Sequence, residues 1–193
     1  MAGHANTIED TLKHLKQEND AVYFIETGTF KGDTTNIAKD IFKNVYSIEI
    51  RENLYEKAKE RFNAFGNVTL LYGDSSVVLE NIKSEIKNNA IFFLDAHWAG
   101  DLSSKGKSDS PLLEELNILR ERVDIYKDII VIDDIGWVGK KNKIIFKPEW
   151  KSKYFPKGGI FKYDWTHINL KEIKNLFENA RFIEKDDRLI IYT

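Results

Sequence analysis

The residues with the clearest chemical potential form one run, Glu26-Thr27-Gly28-Thr29-Phe30-Lys31-Gly32-Asp33-Thr34-Thr35, directly after the short apolar stretch Ala21 to Ile25. Glycine permits tight turns and close approach of backbone to a ligand. The run is therefore a candidate cradle, with Glu26, Gly28, Thr29, Gly32, Thr34 and Thr35 as its lining. Its G-x-x-x-G spacing misses the dinucleotide pattern G-x-G-x-x-G, and without G-K-[ST] it is not a triphosphate P-loop. Charge points the same way. A pyrophosphate here would face Glu26 and Asp33, and like charges ~4 Å apart at an effective dielectric near 20 repel by about 4 kcal/mol. A ligand carrying an ammonium or a sulfonium is favoured instead.

Four further acidic positions follow apolar runs in the same way. Glu49 closes a second run 23 residues after Glu26, where an acid can accept both hydroxyl protons of an adenosine ribose. Asp74-Ser75 follows a third run, Asp95 a fourth and Asp133-Asp134 a fifth. If strands four and five are neighbours, their axes lie ~4.8 Å apart, so Asp95, Asp133 and Asp134 could meet around a divalent cation. Oxygen donors without cysteine favour magnesium, calcium or manganese over zinc. Successive strand residues point to opposite faces, so Asp133 and Asp134 need not both reach the ion. His97 is the best-placed general base, since an imidazole pKa of ~6.5 suits proton removal near neutrality and such help contributes ~10² to 10⁴ in rate. His167 is a weaker candidate, with capping or packing the commoner role. Each residue also has a plain structural reading: glycines for a turn, Asp33 or Thr34 as a helix cap, Glu49 as a strand end, His97 as a packed ring. Gathering acids along one rim costs stability through repulsion, which favours a site over coincidence.

The elements that must position these groups are legible as periodicity. Ile8, Leu12 and Leu15 with Thr7-x-x-Asp10 predict a capped helix over Thr7 to Asn19. Strands are expected at Ala21 to Ile25, Asn44 to Ile50, Asn67 to Tyr72, Ala90 to Leu94 and Asp128 to Ile132. Helices are expected at Thr34 to Phe42, Glu52 to Ala64, Val77 to Lys87, Leu112 to Arg122 with Ser110 as its N-cap, and Asn169 to Phe177. Regular strand–helix alternation predicts a parallel sheet. Arg181 to Glu184 and Arg188 to Tyr192 are too close to pair other than as an antiparallel hairpin. Gly136 to Asp164 lacks clear periodicity and is expected to be a long loop or lid.

The chain has 193 residues, 42% hydrophobic and 31% charged, the make-up of a globular protein built as one domain over 1–193, with an N-terminal helix in 1–20 and the lid at 136–164. The absence of cysteine excludes disulfide scaffolds, thiolate metal sites and cysteine nucleophiles. No apolar run reaches the ~18 residues of a membrane span, and the polar start lacks a secretory core; a cytoplasmic protein without membrane association is expected. Val138 to Lys162 holds eight lysines and one acid, giving +7 against −9 for the remainder. That charge, interleaved with Phe146, Trp150, Tyr154, Phe155 and Phe161, could grip an anionic sugar or nucleotide, although a solvated loop is the commoner explanation. With a pI near 6.1 and no basic recognition helix, nucleic acid is not the expected partner.

In order, E-T-G-T-x-x-G-D-T-T, S-I-E, G-D-S and F-L-D-A-H-W resemble successive motifs of the class I S-adenosylmethionine-dependent methyltransferases, over Val22 to Asp134. With the later I-D-D, the chain is most similar to a small bacterial group related in pattern to macrocin-type sugar O-methyltransferases. The resemblance implies a Rossmann-like, doubly wound, mostly parallel seven-stranded sheet with an antiparallel last strand, in three α/β/α layers. It places Glu26 and Gly28 at the methionine moiety, Gly32 at a close packing contact, Glu49 at the ribose and Asp74 with Ser75 at adenine. Macrocin-type enzymes use a strand-end Asp plus an Asp-Asp pair for a divalent ion, here Asp95, Asp133 and Asp134 and possible magnesium; the polar insertion after Asp95 lengthens that spacing. The implied activity is methyl transfer to a hydroxyl of a sugar, an anionic glycan or another small acceptor, with Asp95 and His97 at the chemistry. A metal-dependent glycosyltransferase using Asp133-Asp134 and a non-catalytic cofactor-binding domain are the rival readings.

Overall fold

The chain is described at residues 7–97, 110–147 and 159–193 of a computed structural model. Thr7 opens α1 (Ile8–Asn19). Its hydroxyl accepts from the Asp10 N–H at 3.2 Å, and the Asp10 carboxylate accepts from the Thr7 N–H at 3.2 Å, the expected capping box. Thr7→Ala should cost about 1 kcal/mol and lower the melting midpoint by about 2–4 °C for a chain of this size. An unchanged thermal transition followed by circular dichroism would show that the cap contributes nothing.

The chain then alternates β1 (Tyr23–Thr27), α2 (Asp33–Ala38), β2 (Asn44–Glu49), α3 (Glu52–Phe62), β3 (Val68–Tyr72), α4 (Ser75–Ile82), β4 (Ala90–Leu94), α5 (Leu112–Arg120) and β5 (Ile129–Ile132). It ends in β6 (Lys141–Phe146), β7 (Gly159–Asp164), α6 (Leu170–Leu176), β8 (Arg181–Lys185) and β9 (Arg188–Tyr192). Seven strands form one sheet in the order β3-β2-β1-β4-β5-β9-β8. Strands β1 to β5 pair in parallel, and β9 runs antiparallel to both β5 and β8. Every residue of β4 and β5 is buried, as strands covered on both faces require.

Strand side chains alternate between two cores. Phe24, Ile91, Phe93 and Val131 pack with Leu12 and Leu15 of α1 and Ala38 of α2. Ile25, Phe92, Leu94 and Ile130 pack with Leu79 of α4, Leu116 of α5 and Ile173 of α6. The result is the expected three-layer arrangement. Strand order reverses between β1 and β4, so the helices that follow them, α2 and α5, lie on opposite faces and leave a crevice at the carboxyl edge. Among the described residues, no helix is long and apolar enough to cross a membrane.

Three elements depart from expectation. Helix α4 begins at Ser75 rather than Val77, because Asp74 caps it by accepting the Ser76 N–H at 3.1 Å. Helix α5 has Pro111 in the cap position, while the Ser110 hydroxyl accepts the Leu112 N–H at 3.4 Å. The segment read as a long loop contains a 3-10 turn (Ile135–Trp137) and an antiparallel ribbon, with Lys143 opposite Lys162 and Ile144 opposite Phe161. Lysines interrupt its apolar alternation, and its strands are separated by too many residues for a hairpin signal, so pairing there is decided by contact rather than local pattern.

Candidate functional site

The rim is built from the carboxyl ends of β1, β2, β4 and β5 and the start of α4. Glu26 at the end of β1 is 2% exposed; its carboxylate accepts from the Ser47 hydroxyl at 2.7 Å and from the Thr35 hydroxyl. Thr29 shares a hydrogen bond of 2.6 Å with the Ser47 hydroxyl. Burial pushes the Glu26 carboxyl up to about 8 despite these hydroxyls and one from Thr34, and the charge of Asp95 adds to the rise. Thr29 and Thr35, expected to line the ligand, are buried: the Thr35 hydroxyl satisfies the Glu26 carboxylate directly, and Thr29 is joined to it only through Ser47.

Gly28 has a φ of 86°, and a Cβ there would lie 2.5 Å from the Asp95 carbonyl oxygen. Only glycine lets the turn after β1 cross the turn after β4. Gly32, with a φ of 73°, lies where a Cβ would stand 2.7 Å from the Phe62 ring of α3, the close packing contact anticipated for it. Glu49 at the end of β2 is almost fully buried; one carboxylate oxygen accepts the Phe30 N–H and the other the Arg51 N–H, each at 2.8 Å. Burial raises its pKa, and the two N–H groups moderate the rise. Each oxygen keeps a second lone pair for a ligand hydroxyl. Asp74 accepts from the Ser76 N–H and, at 2.7 Å, from the Ser76 hydroxyl. That leaves Ser75 at the first turn of α4.

Glu115 was not anticipated. It is 1% exposed, and burial pushes it up to about 7 against the lowering influence of the nearby Ser75 and Thr27 hydroxyls. Its Oε1 has no hydrogen-bond partner among the described residues. Its position carried a signal: a carboxylate three residues after Leu112 and one before Leu116 interrupts the apolar stripe of α5.

Asp95, His97, Asp133 and Asp134 form the other half of the rim. The His97 N–H donates to the Asp95 carbonyl at 3.0 Å, which folds the ring back between two carboxylates. Nδ1 lies 3.1 Å from Asp95 Oδ1 and Nε2 lies 3.1 Å from Asp134 Oδ2. Burial works against charge on the ring, yet Asp134 and Asp95 outweigh it and push the imidazole up to about 10. The rings of Trp137 and Trp165 stand edge-on to it, with centroids at 4.8 and 5.6 Å, and Trp137 stacks on Tyr163 at 4.6 Å. Asp134 reaches His97 because its backbone lies in the left-handed region, φ 53°. The next turn is held by the β8–β9 hairpin tip, where the Asp187 carbonyl accepts the Ile135 N–H at 3.0 Å and its carboxylate the Gly136 N–H at 2.8 Å.

Asp133 turns elsewhere. Its Oδ1 lies 3.0 Å from Arg188 Nε, an ion pair rather than a directed hydrogen bond, since that N–H finds no aligned acceptor among the described residues. Burial pushes the Asp133 carboxyl up to about 6, with Asp95 adding to the rise and Arg188 opposing it. The expected cation set of Asp95, Asp133 and Asp134 is therefore not the set that converges. Ligand atoms of Asp95, His97 and Asp134 lie within 4.8 Å of one another, but the imidazole stands between the carboxylates with one nitrogen toward each. A single ion bound at one nitrogen would leave the other carboxylate behind the ring. As arranged, these residues do not fit a magnesium ion, whose coordination demands near-octahedral oxygen donors. Of the aromatic residues expected in the lid, Trp150, Tyr154 and Phe155 lie outside the described residues.

No protein-family model and no curated protein matches the chain by sequence. Solved structures do match it. A Podospora anserina methyltransferase bound to S-adenosylhomocysteine is similar at a TM-score of 0.59 and 12% identity, over 95% of this chain and 76% of that one. A Bacillus cereus O-methyltransferase with the same ligand gives 0.55 and 14%, over 99% and 84%. An amino pentose methyltransferase from Micromonospora echinaspora, bound to S-adenosylmethionine, gives 0.54 and 11%, over 98% and 93%. With its strand order, its reversed β9 and its acidic carboxyl edge, the chain has the Rossmann-like fold of the class I S-adenosylmethionine-dependent methyltransferases.

Proposed function

We propose that the chain is an S-adenosylmethionine-dependent methyltransferase acting on a hydroxyl of a small, sugar-like acceptor. The observation that carries this reading is the pair of buried carboxylates, Glu26 and Glu49, at adjacent strand ends beside the reversal of strand order. Glu26 and the Gly28 turn would take the methionine ammonium, Glu49 the ribose hydroxyls, and Asp74 with Ser75 the adenine. A sulfonium is a strong electrophile, so the protein needs only to align the acceptor and receive its proton. His97 alone is poorly suited to be that base, because both ring nitrogens already face carboxylates. The Asp95–His97–Asp134 unit carries two negative charges against one positive, and a carboxylate oxygen of the unit is the better proton acceptor.

The half-buried Trp137 beside His97 supports a sugar-like acceptor, since flat rings cover the apolar faces of sugars. Lys143 and Lys162, opposite each other on the ribbon, support an anionic one. Among the similar structures, the amino pentose methyltransferase supports a sugar-like acceptor and the O-methyltransferase a hydroxyl. Divalent-metal assistance has in its favour the closeness of Asp95, His97 and Asp134; the ion pairs already made there stand against it.

Calorimetry tests the reading. S-adenosylmethionine and its demethylated product should bind, whereas NAD and a nucleoside diphosphate should not; preferential binding of either nucleotide would refute it. The pH dependence has a definite sign. With Glu26 raised to about 8 by burial, the ammonium of the product must draw off a proton to gain its counter-charge. Affinity for the product should therefore rise from pH 6 to 8, by up to about tenfold per unit at the steepest, and Glu26→Gln should flatten the curve.

A further inference from the structure

Three carboxylates meet where β4 and β5 end, and each already faces a basic side chain of the protein. His97 stands between Asp95 and Asp134 at 3.1 Å from both, and Arg188, at the start of β9, lies 3.0 Å from Asp133. None of these groups is in bulk water: their side chains are between 11 and 33% exposed. Partial desolvation strengthens the pairs and makes an uncompensated charge costly. The two nitrogens of one imidazole diverge, so the ring bridges the two carboxylates and cannot direct both nitrogens at one ion. Coordination by Asp95 and Asp134 at ~2.0–2.6 Å would need the space that the ring fills.

We infer that this rim is filled from within, His97 occupying the place between Asp95 and Asp134 that a divalent cation would need and Arg188 pairing with Asp133, so that the protein binds no metal ion there. The inference deepens the proposed site and rests on it for location alone.

Manganese binding, followed by loss of the free-ion electron paramagnetic resonance signal, tests it without cofactor or acceptor, so its failure is separate from any failure of the methyl-transfer reading. The wild-type protein should show no saturable site below about 1 mM manganese, the weak end of protein cation sites. His97→Ala removes the ring between Asp95 and Asp134 and leaves them facing a gap, so this variant should gain one site at least about tenfold tighter than any wild-type binding. A stoichiometric wild-type site that Asp95→Asn abolishes would overturn the inference. So would a folded His97→Ala protein with no gain in affinity. Should circular dichroism show His97→Ala unfolded, His97→Gln replaces it, and the wild-type titration is decisive in either case.

Discussion

Glu49→Ala is expected to weaken S-adenosylmethionine binding about 10²- to 10⁴-fold. Two hydrogen bonds from ribose hydroxyls to a carboxylate contribute about 1.5–3 kcal/mol each, and each factor of ten corresponds to about 1.4 kcal/mol. A second loss reinforces the first. The carboxylate also holds the Phe30 and Arg51 N–H groups, and Phe30 sits at a φ of 48°, a conformation a non-glycine residue keeps only when its surroundings enforce it. The variant therefore loses both the contact and the shape of the turn carrying Gly28 and Gly32. Glu49→Gln separates these effects, because it preserves size while exchanging one acceptor for a donor. It should bind more weakly than wild type but better than the alanine variant. Calorimetric affinities within twofold of wild type for Glu49→Ala would remove Glu49 from the cofactor site.

Asp134→Asn should suppress turnover by about 10² to 10⁴, the range for loss of general-base help, while changing S-adenosylmethionine affinity only a few-fold. The substitution keeps the volume of the side chain and removes the charge facing His97 Nε2 at 3.1 Å. The remaining unit, Asp95 with a protonated His97, is neutral overall and no longer favours an incoming proton. Single-turnover kinetics with saturating cofactor isolate the chemical step from binding. An equal loss in cofactor affinity and rate would place Asp134 in the binding site rather than at the proton; an unchanged rate would remove it from catalysis.

Much of the scaffold is written locally. The apolar runs of β1, β4 and β5 are buried on both faces and had to be central, and the regular alternation with helices left a parallel sheet as the economical way to cover them. The short Lys185-Asp186-Asp187 connection forced an antiparallel hairpin, and both aspartates duly take positive φ values of 52° and 60°. Glu26, Glu49, Asp74 and Asp95 could be assigned to one rim for the same reason: in a parallel sheet, every strand followed by a helical crossover ends on the same edge.

Partnerships within that rim were not written in this way. Ser47 supports Glu26 from 21 residues away and Arg188 faces Asp133 from across the β5–β9 pair; neither pairing leaves a periodic or compositional trace. Alternation along a strand separates Asp133 from Asp134, but the left-handed turn at Asp134, held by the hairpin tip of β8–β9, is what sends one to Arg188 and the other to His97. A strand's period and a helix's stripe depend on neighbours a few residues apart, so residue order alone reveals them. Which carboxylate meets which cation depends on side chains from distant segments competing for one desolvated space, and that outcome exists only once the chain has closed around it.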